Sequence, residues 1–144
     1  MSSLCGLAKV ETHQAIHNSV TADLDAAMRL LRNSLQAGRH SEAYELAGAI
    51  LAIWSERELW HAQAEEAELY RHIPAMSALH RDHDLMAQWV AEARTALERQ
   101  DTVSALVMTR LEALSILLDT HNVQELEHLR ISAEGACASP SELG

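Results

Sequence analysis

Basic residues are scarce in this chain: 11 Lys and Arg stand against 21 Asp and Glu, for a formal net charge of −10. Phosphate recognition needs a basic face, so this balance excludes nucleic acid as an expected partner. The same acidity leaves room for bound cations, although solubility accounts for it equally well. Cysteine is nearly absent. Cys5 and Cys137 lie near opposite ends, in no CxxC or zinc-ligand spacing, and are expected to be reduced thiols in a cytoplasmic protein. No stretch approaches the roughly 20 uncharged apolar residues of a membrane span. No charged n-region leads into an apolar h-region either, so neither a membrane partner nor a secretory signal is expected. Strand-like alternation and solenoid-type repeats are also lacking.

Glycine and proline are few, five and two, and they fall at the ends of periodic runs. At 144 residues the chain is long enough for one domain with a real core and short for two. An apolar-periodic run from about Val10 to Leu35 ends before Gly38, where a helix C-cap belongs. Ser41 offers an N-cap for a second run reaching about His72. Pro74 stops that helix and can begin the next at its first turn. The third run extends to about Arg99, and Asp101 or Thr102 can cap a fourth ending near Ile131.

The stripes are spaced by three and four, as in Val20, Leu24, Met28 and Leu31 on the first run, or Val107, Leu111, Leu114 and Leu118 on the last. Short connections make neighbours antiparallel. Residues 1–131 are therefore expected to form an all-α, up-down-up-down antiparallel four-helix bundle. Residues 132–144, with Gly, Pro, Ser and other small residues, are expected to be a disordered tail.

Each stripe is broken by groups that do not belong in a core. His17 interrupts the first, His61 and Glu65 the second, His80 and His83 the third, His121 and Glu125 the fourth. An i, i+4 His–Glu pair, present twice, points both side chains the same way off a helix. Their heights can be compared. His17 lies roughly 21 residues before Gly38 and His61 roughly 23 after it, so at 1.5 Å per residue both sit about 30 Å from that turn. Glu65 and His83 each lie about 9 residues from Pro74, and His83 and His121 about 18 and 20 from Asp101. All four helices bring such groups to one level. His40 and His72 fall at turns, His128 lies about two turns beyond His121, and His13 lies one turn beyond His17. Height alone assigns none of these four to the set, and whether His13, Glu58 or Asp84 joins it stays open.

An ionised carboxylate in an apolar stripe costs several kcal/mol unless paired. The internal partners on offer to Glu65 and Glu125 are mainly histidines. For any one residue a protonated Glu–His hydrogen bond suffices; the joint set favours a bridged cation. Nitrogen-rich, thiolate-free donors suit iron, and also manganese or zinc. They outnumber what one tetrahedral zinc needs, so two metals use them best.

In this order the residues resemble the hemerythrin-like (HHE cation-binding) family. The resemblance is carried by His17, by HAQAEEAELY with His61, Glu65, Glu66, Leu69 and Tyr70, by LHRDHDLM with His80 and His83, and by HNVQE with His121 and Glu125. It covers about residues 10–131. It implies two non-haem iron ions in an Fe–O–Fe type centre, with manganese or zinc second. His17, His61, His80 or His83 (or both) and His121 would be terminal ligands, and Glu65 and Glu125 bridging carboxylates. Oxygen carriers of the family have an i, i+4 histidine pair on the third helix, whereas His80 and His83 are three apart and Asp84 occupies i+4. Carriers also tend to have Asp where this chain has Glu125. With no Phe, a pocket would be lined by Leu, Met and Trp54. These departures weigh against a reversible carrier role and not against the metal site.

The implied function is binding of, or reaction with, O₂, NO or H₂O₂. If enzymatic, it is a peroxidase-, catalase- or oxidase-like activity, with Tyr44, Tyr70 or an unligated histidine as acid–base group. Two other readings are kept. Glu58-x-x-His61 and Glu125-x-x-His128 are both ExxH, the signature of ferritin-like di-iron carboxylate oxidases or ferroxidases, but the further glutamates that scheme needs reduce to Glu11 and Glu92, too far along their helices. A metal-free helical interaction bundle would be stable without any ion. Carrier against enzyme, the physiological substrate and the oligomeric state stay open.

Overall fold

The computed structural model describes residues 2–137, with side chains described over residues 9–135. Among the described residues every regular element is helical, with no strand. α1 spans Ser2–Gln36. A second helical stretch consists of α2, His40–Ile53, a π-helical turn, Trp54–Glu58, and α3, Leu59–Glu68. A 3₁₀ turn, Pro74–Leu79, leads into α4, His80–Gln100, and α5 spans Ala105–Cys137. α1 packs on α2 and α5, and α4 packs on α5, α2 and α3, so the four helical stretches enclose one interior as a bundle. No helix among the described residues is long and apolar enough to cross a membrane.

The helix ends follow local chemistry. Gly38 takes φ +72°, Arg39 N–H reaches Ser34 C=O at 2.9 Å and Gly38 N–H reaches Leu35 C=O at 3.2 Å. This is the left-handed closure that a glycine past a helix end permits. α2 starts at His40, one residue before the expected cap Ser41, with no side-chain cap. Asp101, expected with Thr102 as a candidate cap for the last helix, instead closes α4 in the left-handed conformation at φ 53°. Ser104 takes the capping role for α5, its Oγ accepting from Val107 N–H at 3.3 Å. Pro74 stands at the first turn of the 3₁₀ segment, where its missing N–H is not needed.

Packing divides the interior into three layers. The larger apolar cluster holds Val20, Leu24, Met28 and Leu31 of α1, Ile50 and Leu51 of α2, Trp54, Met86 and Val90 of α4, and Leu111, Leu114 and Leu118 of α5. A smaller cluster at the other side holds Val10, Tyr70, Met76, Leu79, Leu129 and Ala133. Between them each helical stretch carries its His and Glu residues: His13 and His17, Glu58 to Glu65, His83, and His121 with Glu125. Burying a Leu or Met side chain contributes about 1.5–3 kcal/mol. The flanking clusters therefore hold the fold together and keep water from a polar layer that could not stabilise itself.

α5 continues to Cys137, beyond the expected end near Ile131, and Ala133 is buried in the smaller cluster. The part of the expected tail over residues 138–144 lies outside the described residues, and Cys5 and Cys137 lie outside those with described side chains.

Candidate metal centre

Five histidines and two glutamates converge in the middle layer. Two sets of side chains bring donor atoms within 4.8 Å of one another: His13, His17, His61 and Glu65, then Glu65, His83, His121 and Glu125. Glu65 belongs to both. Its Oε2 lies 3.2 Å from His13 Nε2, 3.4 Å from His17 Nε2 and 3.7 Å from His61 Nε2, and its Oε1 lies 3.8 Å from His83 Nε2. Glu125 also faces both sets. Its Oε1 accepts from His13 Nε2 and lies 3.2 Å from His17 Nε2, while its Oε2 lies 3.1 Å from His121 Nε2. Two carboxylates thus stand between three imidazoles on one side and two on the other.

The imidazoles are held from outside. His83 Nδ1–H donates to Glu66 Oε1 at 2.9 Å, and His121 Nδ1–H donates to Asp82 Oδ2 at 2.9 Å. His17 Nδ1–H donates to Asn122 Oδ1. An acceptor on Nδ1 fixes the tautomer and turns the Nε2 lone pair inward, the arrangement that orients metal-binding histidines. His17 Nε2 and His61 Nε2 are 3.3 Å apart, and His83 Nε2 and His121 Nε2 3.1 Å apart. Such close approach suits either donors to a common cation or a hydrogen bond from a protonated ring in each pair.

Glu65 is the group that protein atoms leave unsatisfied at both carboxylate oxygens. It is 4 % exposed, and neither oxygen has a hydrogen-bond partner, because the surrounding imidazole nitrogens are near but not aligned to donate. Burial pushes its carboxyl up to about 9, with the neighbouring Glu125 adding to the rise. Burial also disfavours the charge on Glu125, but hydrogen bonds from His121, His13 and His17 outweigh it and hold this carboxyl well below the usual carboxylate range. At His17 burial is outweighed by Glu125 and Glu65, which raise it to about 10. His61 falls to about 4 through burial and the neighbouring His17 and His13. Burial lowers His83 as well, and Tyr70 is pushed above its usual range by burial and by Glu125. Without a cation, then, the layer depends on protons placed between carboxylates and imidazoles. Two cations would replace those protons and also satisfy Glu65.

The chain matches no family model, no curated protein and no solved structure. The reading of the site therefore rests on its own residues.

Of the expected donors, His17, His61, Glu65, His83, His121 and Glu125 are brought together. His80 is not. It is the first residue of α4, its side chain is 54 % exposed, and it pairs with Glu66 at 3.4 Å and Asp84 at 3.5 Å. Three residues before His83, it points about 60° round the helix, toward solvent. Asp84 is exposed and stays outside, as do His40 and His72 at the turns, and His128 joins neither set. His13, which height left unassigned, does enter: its Nε2 lies 3.2 Å from Glu65 Oε2 and donates to Glu125 Oε1, and its ring packs against those of His17 and His61. Glu58 is 1 % exposed with Oε1 unpaired, at the end of the π-helical turn. Tyr44 packs against the larger apolar cluster, away from the layer, whereas Tyr70 donates to Glu125 Oε2 at 2.6 Å.

Proposed function

We propose that this chain is a hemerythrin-like protein, an up-down-up-down antiparallel bundle whose middle layer holds two non-haem iron ions and binds or reacts with O₂, NO or H₂O₂. The observation that supports it best is Glu65, a buried carboxylate with no hydrogen bond to either oxygen and with imidazole nitrogens on both sides. His13, His17 and His61 would hold one ion, His83 and His121 the other, and Glu65 and Glu125 would be shared. Five imidazoles with two carboxylates and no thiolate match iron well, with manganese or zinc second. When bound, a ferrous pair supplies the electrons with which a small oxidant is bound or reduced.

The chain's own residues set what can reach the site. A cavity of about 190 Å³ lies against His13 and His17, lined also by Gln14, Asn18, Asn122 and Leu126. A diatomic or a peroxide fits within that volume, and the apolar clusters flank the layer on either side. A cytoplasmic location, with small molecules rather than nucleic acid or membrane as partners, belongs to the same reading. The ferritin-like scheme has less support, since His128 stays outside and neither α1 nor α4 brings a glutamate to the layer.

Metal content per chain on the aerobically purified protein, read with its optical spectrum, tests the proposal. Close to two irons, with near-ultraviolet charge-transfer bands, is the expected result. One zinc, or a folded bundle that takes up no metal, overturns it.

A further inference from the structure

The two halves of the middle layer are unequal in nitrogen donors. His13, His17 and His61 stand on one side of the carboxylates, but only His83 and His121 on the other. The place where a third donor would complete the second half is taken by an oxygen. Tyr70 Oη lies 3.3 Å from His83 Nε2, 3.4 Å from His121 Nε2 and 2.6 Å from Glu125 Oε2. The spacings between the other donors on that side are similar: 3.1 Å from His83 to His121 and 3.1 Å from His121 to Glu125. Ligands bound at about 2.0–2.1 Å to one ion, at right angles, stand about 3 Å apart. Tyr70 Oη is spaced from these atoms as a further donor to the same ion would be.

We propose that Tyr70 is a phenolate ligand of the metal held by His83 and His121, giving that ion the same donor number that His13 gives its neighbour. The inference rests on the two-metal reading above. Tyr70 has one proton to give, and Glu125 Oε2 receives it, so the phenol's lone pairs face the point toward which His83 and His121 turn their Nε2 atoms. Convergent lone pairs repel unless a cation lies among them. Packing fixes the ring in this position, since it is buried and stacks on His83, with centroids 5.3 Å apart and planes 14° from parallel. The backbone explains how it arrives. In an uninterrupted α-helix Tyr70, five residues after Glu65, would point about 140° away from it. Instead α3 ends at Glu68, and Tyr70 N–H bonds to Glu65 C=O at 2.9 Å in a widened turn that swings the side chain inward.

On loading, the Tyr70 O–H bond breaks, its electron pair goes to the ion, and its proton leaves to solvent by way of Glu125; nothing is oxidised or reduced in that step. The chain has only two tyrosines, and Tyr44 lies against the larger apolar cluster. The test uses the full chain loaded with ferrous iron without air and then oxidised with one equivalent of ferricyanide per iron. Iron content is read together with visible absorption and resonance Raman spectra. Ferric phenolate should appear as a visible charge-transfer band that enhances tyrosine ring vibrations. It should persist in Tyr44→Phe and vanish in Tyr70→Phe. If Tyr70→Phe does not fold, the Tyr44→Phe protein still decides, because only Tyr70 can then supply the signal. Two irons per chain without phenolate vibrations overturn the Tyr70 assignment and leave the di-iron reading standing. Failure to bind iron overturns both.

Discussion

Glu65 Oε2 lies 3.4 Å from His17 Nε2 and still has no hydrogen bond from it. Proximity without alignment suits two ligands of the proposed shared cation better than two partners in a hydrogen bond. Glu65→Ala should therefore remove the metal. In the wild-type protein, metal at 100 times its dissociation constant adds about 2.7 kcal/mol by mass action. Thermal denaturation with and without ferrous iron should show that gain in the wild-type and no gain in Glu65→Ala. A variant that keeps both its metal and its metal-induced shift would rule out the bridging role.

The pH dependence follows from the same pair. Burial raises Glu65 from 4.5 to about 9, and Glu125 and Glu65 raise His17 from 6.5 to about 10 against the effect of burial. Both groups hold a proton more tightly when folded. Each therefore stabilises the metal-free fold at low pH, and that stabilisation is lost as pH rises from 4.5 to 9 for Glu65 and from 6.5 to 10 for His17. His61, lowered to about 4, acts in the opposite sense, but only below 6.5. Metal binding displaces the protons on Glu65 and His17 and strengthens as pH rises. Between pH 6.5 and about 9 the melting temperature of the metal-free protein should fall while that of the loaded protein holds. A gap between the two that narrows with rising pH would contradict this account.

Asp82 and Glu66 touch no candidate metal position, yet each accepts the Nδ1–H of an imidazole at 2.9 Å. Removing such an outer partner commonly lowers metal affinity by about 10–100-fold, because the ring loses its orientation and its tautomer. Asp82→Asn and Glu66→Gln should each show a loss of that order in a competition titration against a chelator, with the helical circular dichroism spectrum unchanged. An unchanged affinity in both would mean that packing alone orients His83 and His121.

His83 and His80 separate position from residue type. His83→Ala should lose metal from its half of the layer, whereas His80→Ala should leave metal content and stability within experimental error, since an exposed ion pair contributes at most about 1 kcal/mol. Metal loss on His80→Ala would put that residue back into the site and require α4 to begin differently.

Much of the architecture is legible in the sequence, and the reasons are particular. Val20 to Leu31 and Val107 to Leu118 repeat at three and four, so the helices and their buried faces follow from spacing alone. The i, i+4 pairs His61/Glu65 and His121/Glu125 face inward because regular helix carries each pair in phase with its stripe. What spacing misses lies where the helix is not regular or where height is compared with the wrong residue. Tyr70 reaches the site through a widened turn, and His80 leaves it because a 3₁₀ segment delivers the chain to α4 only at that residue. His13 is out of level with His61 and His121, but its partners are the glutamates one turn further along. Asp82 and Asn122 give no signal in one dimension, since their roles exist only once two helices are side by side.

Glu58 gives the sharpest division between the di-iron readings. It is 1 % exposed, Oε1 has no partner, and burial raises its carboxyl above the usual range. A buried polar atom without a hydrogen bond costs about 1–3 kcal/mol, and an apolar replacement of similar shape removes that cost. If Glu58 is not a ligand, Glu58→Leu should stabilise the metal-free protein by about 1–2 kcal/mol, or about 2–6 °C in melting temperature for a chain of this size. Its metal content should stay that of the wild-type. In the ferritin-like scheme Glu58 is the glutamate of the ExxH motif with His61, and the same substitution would remove a metal. Calorimetry and metal analysis on one variant therefore decide between five imidazoles with two shared carboxylates and a carboxylate-rich site that draws on Glu58.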